Sequence, residues 1–318
     1  MAAALMNLAQ TLFGARFQNP VMLASGTCGY GEEFDGFLDI DQLGGLVTKA
    51  VTVEAREGNA APRVAEFDAG MLNSVGLANV GLAEARTKKL PWLASRLRHA
   101  QVLVNVAGKT VEEYAEIVKQ LDDSTGFLGY ELNVSCPNVK EGGAVFSARE
   151  DMLAEVVRAA RRATRRPVIV KLAPNVADIG RMAEVAAAEG ADGLSLINTF
   201  PGLLFDVRTR TAVLGAGTGG VSGPAVLPMG VHAVWQARRR VGIPIIGLGG
   251  IRTSDDALQY IFAGASLVQI GTASFADPRT ALRVLSGLRS YGDALRISEF
   301  RELVGCGSVD GVPAGSVG

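Results

Sequence analysis

Pro244-Ile-Ile-Gly-Leu-Gly-Gly-Ile-Arg-Thr-Ser-Asp-Asp-Ala257, followed by Ser266-Leu-Val-Gln-Ile-Gly-Thr-Ala-Ser274, decides the fold. Its first five residues form a short, almost continuous apolar run, the pattern of a strand buried on both faces of a parallel sheet. A glycine pair ends the run. Ser254-Asp-Asp then supplies a capping hydroxyl and two acids for the positive end of a helix over 254–263. A second apolar run at 266–270 stops at another glycine. This is one strand–loop–helix–strand unit.

The unit recurs outward in both directions. Further strands are expected at about 21–25, 46–51, 102–106, 128–134, 167–172 and 193–197. Helical segments are expected near 110–122, 147–164, 178–189, 224–240 and 279–290, and Thr110 three residues before Glu113 gives the first a capping box. Eight strands alternating with helices predict an α/β fold, a single (β/α)8 TIM barrel, as one domain over 1–318. Residues up to about 18 read as a lead-in, and those from about 305 as a flexible tail. The stretches 52–100 and 199–223 exceed what a crossover needs and read as loops elaborated over one face.

Composition excludes several classes. The 318 residues carry 31 Lys+Arg against 32 Asp+Glu, a net charge of −1, so neither nucleic acid nor an anionic membrane is expected as the main partner. At 48% hydrophobic and 20% charged, the chain is no disordered protein. The 39 glycines, about 12% against roughly 7% on average, imply many close backbone approaches. Cys28, Cys136 and Cys306 form no C-x-x-C pair, which argues against zinc, an iron–sulfur cluster or any other metal on this chain. The N-terminus lacks the basic region of a signal peptide, and a cytoplasmic location is expected.

Polar residues cluster at one end of the strands. Ser25 ends the first, Lys49 lies near the end of the second and Asn105 near the end of the third. Asn133 and Cys136 follow the fourth, Lys171 closes the fifth, Asn198-Thr199 follow the sixth, Gly249-Gly250 the seventh and Gly271-Thr272 the eighth. Each alone has a plain structural reading: a snorkelling lysine, a turn asparagine, a small buried thiol. Together they mark the C-terminal mouth, where barrel active sites are built. Glycines after strands seven and eight leave backbone N–H groups free to meet a phosphate. No G-x-G-x-x-G opens a first βα unit, and no Walker motif occurs. Of the possible bases, His99 and His232 read as structural. Cys136, within Asn133-Val-Ser-Cys-Pro-Asn138 and near cationic Lys49 and Lys171, is the stronger candidate.

Five segments carry a resemblance. They are Asn19-Pro-Val-Met-Leu-Ala-Ser-Gly-Thr, Gly45-Leu-Val-Thr-Lys-Ala-Val-Thr, Gly70-Met-Leu-Asn-Ser-Val-Gly-Leu-Ala-Asn, Glu131-Leu-Asn-Val-Ser-Cys-Pro-Asn-Val-Lys-Glu-Gly-Gly and Gly193-Leu-Ser-Leu-Ile-Asn-Thr. From about Asn19 to Tyr291 the chain resembles the catalytic subunit of class 1 dihydroorotate dehydrogenases, most closely the 1B type. The resemblance implies an FMN enzyme of pyrimidine biosynthesis that oxidises dihydroorotate to orotate, with Cys136 removing the C5 proton. It places substrate contacts on Lys49, Asn73, Ser74, Val75, Gly76, Leu77, Asn133, Asn198 and Thr199. It places FMN contacts on Ser25, Lys49, Ala50, Asn105, Asn133, Lys171, Ile197, Gly223, Gly249, Gly250, Gly271 and Thr272.

The resemblance also implies a partner subunit carrying FAD and a [2Fe–2S] cluster, which passes electrons to NAD+ in a heterotetramer built on a homodimer of this chain. Three alternatives stay open. One is a class 1A-like enzyme using fumarate, against which the Val139-Lys-Glu-Gly-Gly loop speaks. The others are a dihydropyrimidine dehydrogenase-like flavin domain and a non-redox barrel binding a phosphorylated metabolite.

Overall fold

The structure, a computed structural model, describes residues 6–135, 137–138, 144–146, 149–309 and 311–314. Cys136, much of the loop from Val139 and the chain ends therefore lie outside the described residues.

All eight expected strands are present: β1 Val21–Leu23, β2 Gly45–Val47, β3 Gln101–Val106, β4 Gly129–Asn133, β5 Val168–Lys171, β6 Gly193–Leu196, β7 Ile245–Leu248 and β8 Leu267–Ile270. They pair in parallel and close, β8 joining β1, into a barrel. Helices α1 Leu90–Arg96, α2 Val111–Leu121, α3 Glu150–Ala163, α4 Ile179–Ala188, α5 Leu227–Arg238, α6 Ser254–Phe262 and α7 Thr280–Leu295 surround it, so the expected TIM barrel is found. Two cap details differ from expectation. The cap of α6 is Thr253, not Ser254, closed reciprocally with Asp256. At α2, Thr110 accepts from Glu113 N–H, but the Glu113 carboxylate turns back to Lys109 N–H.

Register explains the interior. Residues paired across parallel strands share a face, so successive inward positions stack as layers drawn from alternate strands. Met22, Leu103, Ile169 and Ile246 form an apolar layer from β1, β3, β5 and β7. Below lie Gly45, Gly129, Gly193 and Leu267; a Cβ on Gly193 would come within 2.6 Å of the Phe13 ring. The lead-in fills that space, because its hairpin, Gln10–Leu12 with Ala15–Phe17, packs Phe13 and Phe17 against the lower layers. Above the apolar layer sit Val47, Glu131, Ser195 and Gln269 from the even strands, and Asn105 and Lys171 lie higher still.

The two long excursions are more ordered than loops. Val64–Phe67 and Gly70–Asn73 form a hairpin in the first, and Phe200–Gly202 with Gly219–Ser222 form another in the second. Gly70–Asn73 pairs with Gly219–Ser222, giving one four-stranded antiparallel sheet that joins the connections after β2 and β6. Several residues of the segment from Gly305 are hydrogen-bonded. Gly305 N–H and Gly307 N–H donate to Ile261 O and Phe262 O of α6, and Ala314 N–H returns to Gly307 O. No helix among the described residues is long and apolar enough to cross a membrane.

Candidate active site

The C-terminal ends of the strands gather most of the expected residues. Ser25 Oγ donates to Thr48 O (2.7 Å), tying the β1 and β2 loops together. Lys49 is fixed by its backbone N–H to Gly29 O (2.7 Å), and its half-buried ammonium has no ion-pair partner among the described residues. Burial lowers its pKa, nearby Cys28 and Glu33 oppose that, and Arg63 adds to it. Such an ammonium gains most from an incoming anion.

Asn133 and Asn198 reach one another from β4 and the loop after β6: Asn198 Nδ2 donates to Asn133 Oδ1 (3.1 Å). Asn198 Oδ1 accepts from Thr199 N–H (2.8 Å). Asn133 O accepts from the Tyr114 hydroxyl of α2 (2.6 Å), which anchors the strand end. The excursion sheet brings in Asn73, whose Nδ2 donates to Gly220 O (3.2 Å). Asn59 Nδ2 holds the Ser74 hydroxyl (2.7 Å), and Gly76 and Leu77 turn through positive φ, which places Leu77 against buried Ala50. These amides, hydroxyls and one ammonium suit a planar anion with amide edges.

The glycine loops form a backbone cradle. The N–H groups of Gly250, Gly271 and Thr272 make no hydrogen bond to the described residues. Gly223, Gly249 and Gly250 all have positive φ, and a Cβ on Gly250 would come within 2.9 Å of Gly223 O. The Tyr260 hydroxyl donates to Leu248 O (3.0 Å) and Gly249 O (2.7 Å), bracing the loop, and Thr272 Oγ1 joins Ser222 Oγ (2.9 Å). Three bare donors at adjoining loops suit an anion without help from side chains. Ile197, also expected here, is buried at the end of β6.

Beneath the mouth lies a feature the sequence reading did not single out. Asn105 Nδ2 and Gln269 Nε2 donate to the two carboxylate oxygens of Glu131 (2.8 and 3.0 Å), and Lys171 Nζ lies 3.8 Å from the first. Asn105 Oδ1, Gln269 Oε1 and Ser195 Oγ are buried without a partner among the described residues. A charged residue inside the apolar run Leu128-Gly-Tyr-Glu-Leu-Asn-Val was the available signal. Orphaned acceptors, a lysine and bare N–H donors fit a flavin mononucleotide, whose ring carries imide groups and whose tail is a phosphate.

Other candidates are elsewhere. His99 precedes β3, at the opposite end of the barrel, and His232 of α5 stacks on Trp235. Cys28 is fully enclosed and burial raises its pKa to about 12, so it is an unreactive packing thiol. The described residues contain no cluster of groups able to hold a metal ion. Cys136 lies outside the described residues.

A parallel barrel with an amide and ammonium mouth beside an anion cradle defines an α/β-barrel enzyme acting on a small anion. The family model for dihydroorotate dehydrogenase matches residues 7–291. The chain is 51% identical over 298 residues to a putative dihydroorotate dehydrogenase A (fumarate) of Solibacter usitatus, covering 94% of this chain and 97% of that one. It is 45% identical over 299 residues, with the same coverage, to the catalytic subunit of dihydroorotate dehydrogenase B (NAD(+)) of Geotalea daltonii. The crystal structure of the Eimeria tenella enzyme with ferulenol aligns with a TM-score of 0.79 at 25% identity, over 94% of this chain and 88% of that one. The chain belongs to the dihydroorotate dehydrogenase family.

Proposed function

We propose that this chain oxidises dihydroorotate to orotate with FMN, as one catalytic domain in the cytoplasm. What supports this reading is that Lys49, the hydrogen-bonded pair Asn133 and Asn198, and the free N–H groups of Gly250, Gly271 and Thr272 all follow the C-terminal ends of barrel strands, with Asn73 tied through Gly220 to the excursion after β6. Lys49 supplies the cation for the substrate carboxylate, and the Asn73, Asn133 and Asn198 amides serve its ring groups. The backbone of Ser74, Val75, Gly76 and Leu77, with Thr199, completes the wall. Gly223 and the cradle take the FMN phosphate. Ser25, Ala50, Asn105, Asn133, Lys171 and Ile197 bound its ring, which when bound supplies the two-electron acceptor. Cys136 takes the substrate proton; this role rests on the Asn133-Val-Ser-Cys-Pro motif.

The same reading assigns the 1B type: a homodimer core that hands electrons through a partner carrying FAD and [2Fe–2S] to NAD+. Relatives named as NAD(+)-linked catalytic subunits support it, and so does the Val139-Lys-Glu-Gly-Gly loop. A fumarate-linked 1A enzyme is the second reading, favoured by the name of the 51% identical relative. Purification decides between them. The 1B reading expects a yellow chain that co-purifies with an iron–sulfur flavoprotein and reduces NAD+ only in its company. Turnover with fumarate by the isolated chain selects the second reading, and a colourless protein unable to take up FMN removes both.

A further inference from the structure

Glu131 is fully buried on β4, and strands β4 and β8 lie opposite one another in the barrel, so its hydrogen bond from Gln269 crosses the lumen. Interior barrel layers are ordinarily filled by apolar residues, as the layer below is here. A carboxylate at this place must be matched, because an isolated buried charge is costly. Its three polar neighbours match it unevenly. Two carboxamides donate to it and Lys171 stands 3.8 Å away as the opposite charge, while Ser195, paired with Lys171 across β5 and β6, leaves its hydroxyl unpartnered. Both carboxamides spend an N–H on Glu131, which turns Asn105 Oδ1 and Gln269 Oε1 away from it as unpartnered acceptors.

We infer that Glu131 is a positioning residue that sets the redox potential of the bound flavin by offsetting the charge of Lys171 and fixing the Asn105 carboxamide. This inference rests on the FMN reading above. Reduced flavin gains negative charge, so Lys171 favours the reduced form and Glu131 opposes it. The pair therefore leaves the lumen near neutral and holds the potential below what Lys171 alone would give.

The test is the midpoint potential of FMN-loaded protein, measured by dye-equilibrated titration, with thermal denaturation in parallel. E131Q keeps the volume and removes the charge. It is expected to bind reduced FMN at least tenfold more tightly, relative to oxidised FMN, than the native chain does. For a two-electron couple that is a rise of about 30 mV. K171Q is expected to shift the other way. If E131Q does not fold around an unpaired ammonium, the step is read between K171Q and the E131Q/K171Q double variant, which removes both charges, and the rise is again expected. An unchanged or lower potential on removing Glu131 from FMN-loaded protein overturns the inference, whatever happens to the melting temperature. A native chain that binds no FMN refutes the flavin reading itself, which is a different result.

Discussion

Gly250 and Gly271 follow β7 and β8 in similar sequence contexts, yet the structure gives an added methyl very different surroundings. Gly250 has φ +77°, and a Cβ there would stand 2.9 Å from Gly223 O, Leu227 Cβ and Leu227 N. A left-handed conformation costs a non-glycine residue roughly 1–2 kcal/mol. Forcing a methyl against backbone in a packed site adds typically 1–3 kcal/mol. Gly250→Ala should therefore destabilise by about 2–5 kcal/mol, a fall in melting temperature of roughly 3–7 °C for a chain this size. The loop must also move, which displaces N–H donors of the cradle, so FMN should be lost more readily. At Gly271 φ is not positive and the nearest atom is Ala24 Cβ at 3.5 Å, ordinary contact. Gly271→Ala should melt within about 2 °C of the native chain, on the same scale. Calorimetry of both variants, with a fluorescence titration of FMN, provides the assay. Equal melting temperatures for the two, or Gly250→Ala melting with the native chain, would refute the geometric reasoning.

Replacing Lys49 with Ala removes a charge-assisted contact worth about 1.5–3 kcal/mol, so orotate should bind roughly 10- to 150-fold more weakly in a flavin-shift titration. Burial lowers the Lys49 pKa, so the ammonium is lost earlier as pH rises; native affinity should fall along that alkaline limb while Lys49→Ala stays flat. Cys136→Ala should keep FMN but slow flavin reduction by dihydroorotate at least ~10²-fold in stopped flow, and an undiminished rate would remove the thiol from the mechanism. Tyr260→Phe deletes the donor to Leu248 O and Gly249 O and should cost about 1–3 kcal/mol of stability. It should also weaken FMN binding, and unchanged FMN retention would show that this brace does not support the cradle.

The sequence alone determined the eight strands, their order and the end at which the polar residues collect. Those features are local: short apolar runs, caps and terminal glycines act over a few residues and need no distant partner to be read. The same locality let Lys49, Asn105, Lys171 and the Gly249-Gly250 pair be chosen correctly as strand-end residues. Only the tertiary structure decided that the excursions at 64–73 and 200–222 become one sheet, since Asn73 and Gly220 pair across 147 residues. Only it put Glu131 opposite Gln269, 138 residues apart, and beside Lys171. A strand's periodicity says which residues face inward, but barrel closure and register decide which inward residues share a layer. The charge balance beneath the mouth is therefore a property of closure, written in no single segment.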